Sequence, residues 1–137
     1  MKLESMFKVS IVVFVFSSFY LFYLTGGYSG YVESAMDWHG YDGSVPNWLA
    51  NLNVALTVTF SLIMFTYNIR ARSAFFYMSI LGLLLTFGSG IAAYTSAEML
   101  FVQINFITQG IIIALSYTAL SAEFTDKQQQ PKQCTET

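Results

Sequence analysis

Four long apolar stretches, at residues 7–24, 48–69, 74–94 and 99–120, carry no charged residue in their middles. Each is 18–22 residues long, and about 20 apolar residues in a helix cover a bilayer's hydrocarbon core of about 30 Å. This pattern sets the solvent before it sets anything else. In hydrocarbon every backbone N–H and C=O must find a partner inside its own segment, so the runs must be helices. The expected fold class is therefore all-α: an integral membrane protein built as an antiparallel bundle of four transmembrane helices over residues 1–124. Composition agrees. The chain is 55 % hydrophobic and 10 % charged, where an ordinary soluble domain has roughly 45–50 % and about 25 %. A length of 137 residues allows one domain.

Charge placement gives the expected topology. Lys2 and Lys8 precede or open the first run, Arg70 and Arg72 lie between the second and third, and Lys127 and Lys132 follow the fourth. The connections at residues 25–47 and 95–98 hold no Lys or Arg. Basic residues stay on the cytoplasmic side, so both termini are expected in the cytoplasm, with 25–47 as an outer loop. The expected location is a bacterial inner (plasma) membrane. The first run also has the basic start of a signal peptide. Its apolar part is long and aromatic, and the small residues Thr25 and Gly27 make a poor cleavage site, so a retained anchor is expected.

Local signals mark the helix ends. Asn47, or Ser44 before it, is the expected N-cap of the second helix, with Pro46 at the entry and Trp48 at the membrane interface. Ser73 is the expected cap of the third. Thr95 to Glu98 reads as a capping box for the fourth. The outer loop holds five glycines. Within it Tyr31, Ala35 and Trp38 share a helical face, which predicts a short amphipathic turn over 31–39 lying on the membrane surface. The tail at 125–137 is polar, with Gln128, Gln129 and Gln130 before Pro131, and is expected to be disordered.

Polar residues inside the runs carry the remaining information, because at bilayer depth they need partners. At about 100° per residue, Asn105, Gln109 and Ser116 fall on one face of the fourth helix, with Glu98 and Glu123 continuing the line. Asn53, Thr57, Ser61 and Asn68 form a similar stripe on the second. Gly82, Thr86, Ser89 and Ala93 make a small-residue stripe on the third, suited to close backbone approach. Two readings follow. Either the stripes face the bundle interior and fix helix rotation through hydrogen bonds, or Asn53, Thr57, Asn105, Gln109 and Ser116 line a polar pocket or path for a neutral or zwitterionic solute. A stripe facing a partner protein or a second copy is a third arrangement.

Several function classes are disfavoured. No Asp, Glu, Lys, Arg or His lies in the middle of a run, whereas proton-coupled transport normally needs one there. The one histidine, His39, cannot give bis-histidine haem ligation, and the one cysteine, Cys134, cannot form an internal disulfide. Asp37, His39 and Asp42 are the only local grouping of metal-ligand types, and they are better read as keeping the loop solvated. No catalytic residue, cofactor or metal is therefore expected. A net charge of −2 gives no basic footprint for nucleic acid. The expected partners are the lipid bilayer and either another membrane protein or a second copy. The expected role is a non-enzymatic accessory or interaction protein, the alternative being a small oligomeric transporter or channel.

The topology has a direct test. In a variant lacking Cys134, a cysteine at Ser29 should react with a membrane-impermeant thiol reagent added outside intact cells, and one at Ser121 should not. The reverse pattern would invert the orientation.

Overall fold

The protein is described by a computed structural model that gives the backbone of residues 2–39, 45–88 and 96–124, and side chains at 2–23, 45–46, 48–86 and 99–124. The described residues are all-helical, without a strand. They form α1 (Leu3–His39), α2 (Asn47–Ile63), α3 (Ile69–Gly88) and α4 (Ser96–Tyr117), with short 3-10 turns at Met64–Thr66 and Ser121–Glu123. Four segments, Leu3–Tyr23, Trp48–Thr66, Ile69–Thr86 and Met99–Tyr117, are long and apolar enough to cross a membrane.

Helix ends differ from expectation in three places. First, α1 does not stop near residue 24. It runs 37 residues to His39, about 55 Å at 1.5 Å per residue, nearly twice the thickness of a hydrocarbon core. The expected amphipathic turn over 31–39 is the continuation of this helix, so that part of the expected outer loop is helical. No proline interrupts residues 3–39, and Gly26, Gly27 and Gly30, clustered within five residues, weaken the helix without breaking it. Asp37, His39 and the expected loop aromatics lie outside the described side chains, and Asp42 outside the described residues.

Second, the turn between α2 and α3 comes earlier than residues 70–73. Tyr67 adopts a left-handed conformation, with φ of 53°, which ends the helical path. Asn68, not Ser73, then caps α3. Its Oδ1 accepts the backbone N–H groups of Arg70 at 2.8 Å and Ala71 at 3.2 Å, two donors that a helix start leaves unpaired. Ser73 sits inside the helix and donates to the Ile69 carbonyl. Third, Pro46 itself occupies the N-cap of α2 without a side-chain cap bond. The expected box at the start of α4 involves Thr95, outside the described residues, and Glu98, outside the described side chains.

Packing is uneven. α1 lies most extensively on α4 and α2 on α3, while the α1–α2 and α3–α4 seams are thinner. The core concentrates at the end carrying Lys8, Arg70 and Arg72. There Phe7, Ile11, Met64, Phe75 and Ile112 are fully buried. Phe7 stacks on Tyr67 at 5.9 Å and meets Phe124 edge-on at 5.8 Å. Arg72 closes this end. Its guanidinium lies 4.5 Å from the Tyr117 ring and 5.1 Å from Phe124, and Nη1 donates to the Ser116 carbonyl at 3.0 Å. That carbonyl belongs to the last turn of α4, where a helix leaves acceptors unpaired and favours a cation.

The distribution of side chains by polarity is inverted relative to a water-soluble domain. Phe16, Phe19 and Phe22 on α1 are each 65–66 % exposed, and Leu84 and Ile107 face outward with them. Ser10, Ser17, Ser18, Asn53, Thr57, Ser61, Ser79, Thr108 and Ser116 are buried. Water would penalise such an apolar exterior.

Asn68→Ala should lower unfolding free energy by about 1 kcal/mol, the usual worth of an N-cap, in a denaturant titration of the detergent-solubilised protein. Asn68→Asp should retain most of it. Equal stability of all three forms would show that the cap does not hold the α2–α3 turn.

Candidate functional site: an uncharged polar cavity between the four helices

At the Trp48 end of the bundle the packing opens into a cavity of about 330 Å³ to which all four helices contribute. That is within the range of small-molecule pockets, about 300–1,000 Å³. Its polar surface is supplied by Ser18 on α1, Asn53 and Thr57 on α2, Ser79 and Thr86 on α3, and Asn105 and Gln109 on α4. Gly82 contributes the gap. Among the described residues, none that lines it is ionisable.

Two hydrogen-bonded relays frame it. Asn105 Nδ2 donates to Ser18 Oγ at 2.9 Å, and Ser18 Oγ donates to the Phe14 carbonyl at 2.8 Å. Gln109 Nε2 donates to Ser79 Oγ at 2.9 Å, and Ser79 Oγ donates to the Phe75 carbonyl at 2.8 Å. Each serine lies four residues after a phenylalanine, so its hydroxyl reaches back one helical turn and remains an acceptor for the amide. Phe14 and Phe75 themselves meet edge-on at 5.7 Å. Beyond them lie the fully buried Ile11 and Phe7. The cavity is therefore floored by aromatic rings and does not continue toward the basic end.

Asn53 is the exception to this pairing. It is 8 % exposed, and its Oδ1 is buried without a hydrogen-bond partner. The cost of such a group is about 1–3 kcal/mol by protein measurements. Its backbone carbonyl accepts from Thr57 Oγ1 at 2.7 Å. Its Nδ2 sits against Gly82, where an added Cβ would lie only 2.9 Å from it. The glycine is what lets the amide lie there.

The stripes drawn from the sequence thus meet in part. Asn53, Thr57, Gly82, Thr86, Asn105 and Gln109 line one cavity. Thr57 and Thr86 turn their hydroxyls back onto their own helices. Ser116 does not reach it. Its side chain donates to the Ile113 carbonyl, and it lies one and a half to two turns closer to the basic end than Gln109, beneath Arg72. Ser61 likewise bonds its own helix, and Asn68 caps α3. Ser89 and Ala93 lie outside the described residues. Sequence reasoning missed Ser18 and Ser79. Ser79 was within reach, since 79, 82 and 86 continue one face at spacings of three and four. Ser17 and Ser18 stand seven and eight residues after Ser10, and all three are buried, a spacing of one helical side that marks Ser18 in the sequence.

Comparison with protein-family models, with curated proteins and with solved structures found no match for this chain.

The relays predict pairwise coupling. A double-mutant cycle on Ser18→Ala and Asn105→Ala, read by thermal unfolding in detergent, should give a coupling of roughly 0.6 kcal/mol and at most about 2, the span measured for interhelical hydrogen bonds in membranes. Strict additivity would mean that the two side chains do not bond.

Proposed function

We propose that this chain is a multi-pass membrane protein that acts by binding rather than by catalysis, as a non-enzymatic accessory or interaction protein. Its helices run up-down-up-down in an antiparallel bundle, both termini lie in the cytoplasm, and the Trp48 end faces outward. The observation that carries the reading is the polar cavity, uncharged among the described residues. Its described lining holds amides and hydroxyls and no acid, base or metal ligand, so it offers recognition without a group to drive a reaction.

Other features support the placement. Phe7 meets Phe124 near one end while Tyr20 meets Phe101, 4.4 Å between centroids, near the other. Arg72 pairs with Ser116 while Ser79 pairs with Gln109. Both orders fit antiparallel neighbours. Lys8, Arg70 and Arg72 sit at the end away from Trp48, as the positive-inside rule requires of a cytoplasmic face. The outward phenylalanines suit lipid, and they also suit a second helix surface belonging to a partner protein or another copy.

A second reading is favoured by the same cavity: a carrier for a neutral or zwitterionic solute, caught open on one side. The aromatic floor argues against a continuous pore. The described lining carries no ionisable group on which a proton gradient would act.

Flux measurements separate the two. The protein reconstituted in liposomes should pass neither glycerol nor glycine betaine faster than empty liposomes do. Flux that disappears in Gln109→Leu would replace the binding reading with the carrier.

A further inference from the structure

A second, mostly apolar cavity of about 370 Å³ lies along the α1–α2 seam. It is bounded by Phe19 and Phe22 on α1 and by α2 from Asn51 to Leu62. Ser18 and Val54 line both this groove and the polar cavity. The two are therefore neighbours, with these two residues between them, at one of the thinner seams of the bundle. Side by side they offer a bipartite space, an apolar groove along the helix pair and a polar cavity within the bundle.

We infer that this space holds one uncharged lipid amphiphile, a single acyl chain bearing a hydroxyl-rich head, which enters sideways from the bilayer. The inference rests on the binding reading above and names its ligand class. Three observations select the occupant. Asn53 Oδ1 is a buried acceptor with no donor, so the head must bring an O–H or N–H. Among the described residues the lining of both cavities is free of ionisable groups, and a charged head taken from water into such a site would go uncompensated. The groove follows α2 over Asn51 to Leu62, about 16 Å at 1.5 Å per residue, which is half of a hydrocarbon core of about 30 Å. One leaflet's acyl chain has that reach.

Asn105 and Gln109 each commit an N–H to a serine, which fixes their planes and preorganises the cavity around the head. Asn53 is left as the recognising acceptor. Replacing it by leucine removes an unpaired polar atom, so a purely structural account expects the variant to be as stable as the parent or more so. Binding and stability are thus predicted to move independently at this position.

The test uses the full chain in phosphatidylcholine nanodiscs with 1-oleoylglycerol carrying a diazirine on its acyl chain. Photolysis should label α1 near Phe19 and Phe22 or α2 between Ala55 and Leu62, saturating at one molecule per chain. Unlabelled 1-oleoylglycerol should compete. Methyl oleate, which has no donor, and oleate, which is charged, should compete on the order of ten-fold less well, the equivalent of one hydrogen bond at 1.4 kcal/mol per decade. Asn53→Leu should weaken labelling by a similar factor with an unchanged or raised melting temperature. Ala55→Trp, at an exposed groove position, should block labelling while the protein stays folded. Equal competition by methyl oleate, or labelling spread evenly over the lipid-facing surface, would overturn the inference. Loss of labelling in Asn53→Leu accompanied by a lowered melting temperature would overturn it too, since the residue would then be structural. Failure here with no solute flux in liposomes leaves the binding reading standing and removes only this ligand class; solute flux lost in Gln109→Leu removes the reading itself.

Discussion

The hydrogen bonds from Asn105 to Ser18 and from Gln109 to Ser79 hold the arrangement on which the rest of the bundle depends. The first ties α4 to α1, 87 residues apart, and the second ties α4 to its chain neighbour α3, 30 residues apart. If the exterior is lipid, burying one more leucine or phenylalanine gains little, because hydrocarbon solvates it as well as the protein does. Directional bonds then decide how each helix is rotated about its axis. With α4 fixed by two of them, the small and polar faces of α1 and α3 turn inward, and Phe16, Phe19, Phe22, Leu84 and Ile107 turn out.

The same rotation explains why one end is dense and the other hollow. Toward the basic end the inward positions are Phe7, Ile11, Phe75 and Ile112, large enough to fill the space. Toward the Trp48 end they are Ser18, Asn53, Thr57, Ser79 and Gly82, which leave a void. The boundary is the edge-on pair of Phe14 and Phe75. Arg72 completes the dense end by bonding the last turn of α4 and lying over two rings. A cation in the first turn of α3 is unfavourable for that helix's own dipole. The α4 carbonyl and the aromatic faces offset it.

Much of this was legible in the chain. The four apolar runs gave four helices suited to a membrane, and the 100° spacing put Asn105 with Gln109 and Asn53 with Thr57. Helix ends were less legible. The continuation of α1 to His39 was hidden by glycines that look like loop residues, yet glycine lowers helix propensity by only about 1 kcal/mol each. The early turn at Tyr67 was hidden because a tyrosine in the left-handed region leaves no compositional mark. Asn68, read as the tail of a polar stripe, proved to be the cap that follows it. Ser116 shares a face with Gln109 but lies too far along the helix to share its surroundings, since a helical phase carries no height.

By itself the sequence determined the solvent-facing character of each helix, the end on which positive charge collects, and which side chains share a face. These are properties of one segment at a time, fixed by hydropathy and by 3.6 residues per turn. Only the tertiary structure decided that four faces converge on one cavity, that Ser18 and Ser79 accept from its amides, and that Asn53 is left with an unpaired acceptor. Such facts depend on the relative height and rotation of separate helices. Those are set by pairwise contacts across dozens of residues, which no periodicity within a single helix encodes.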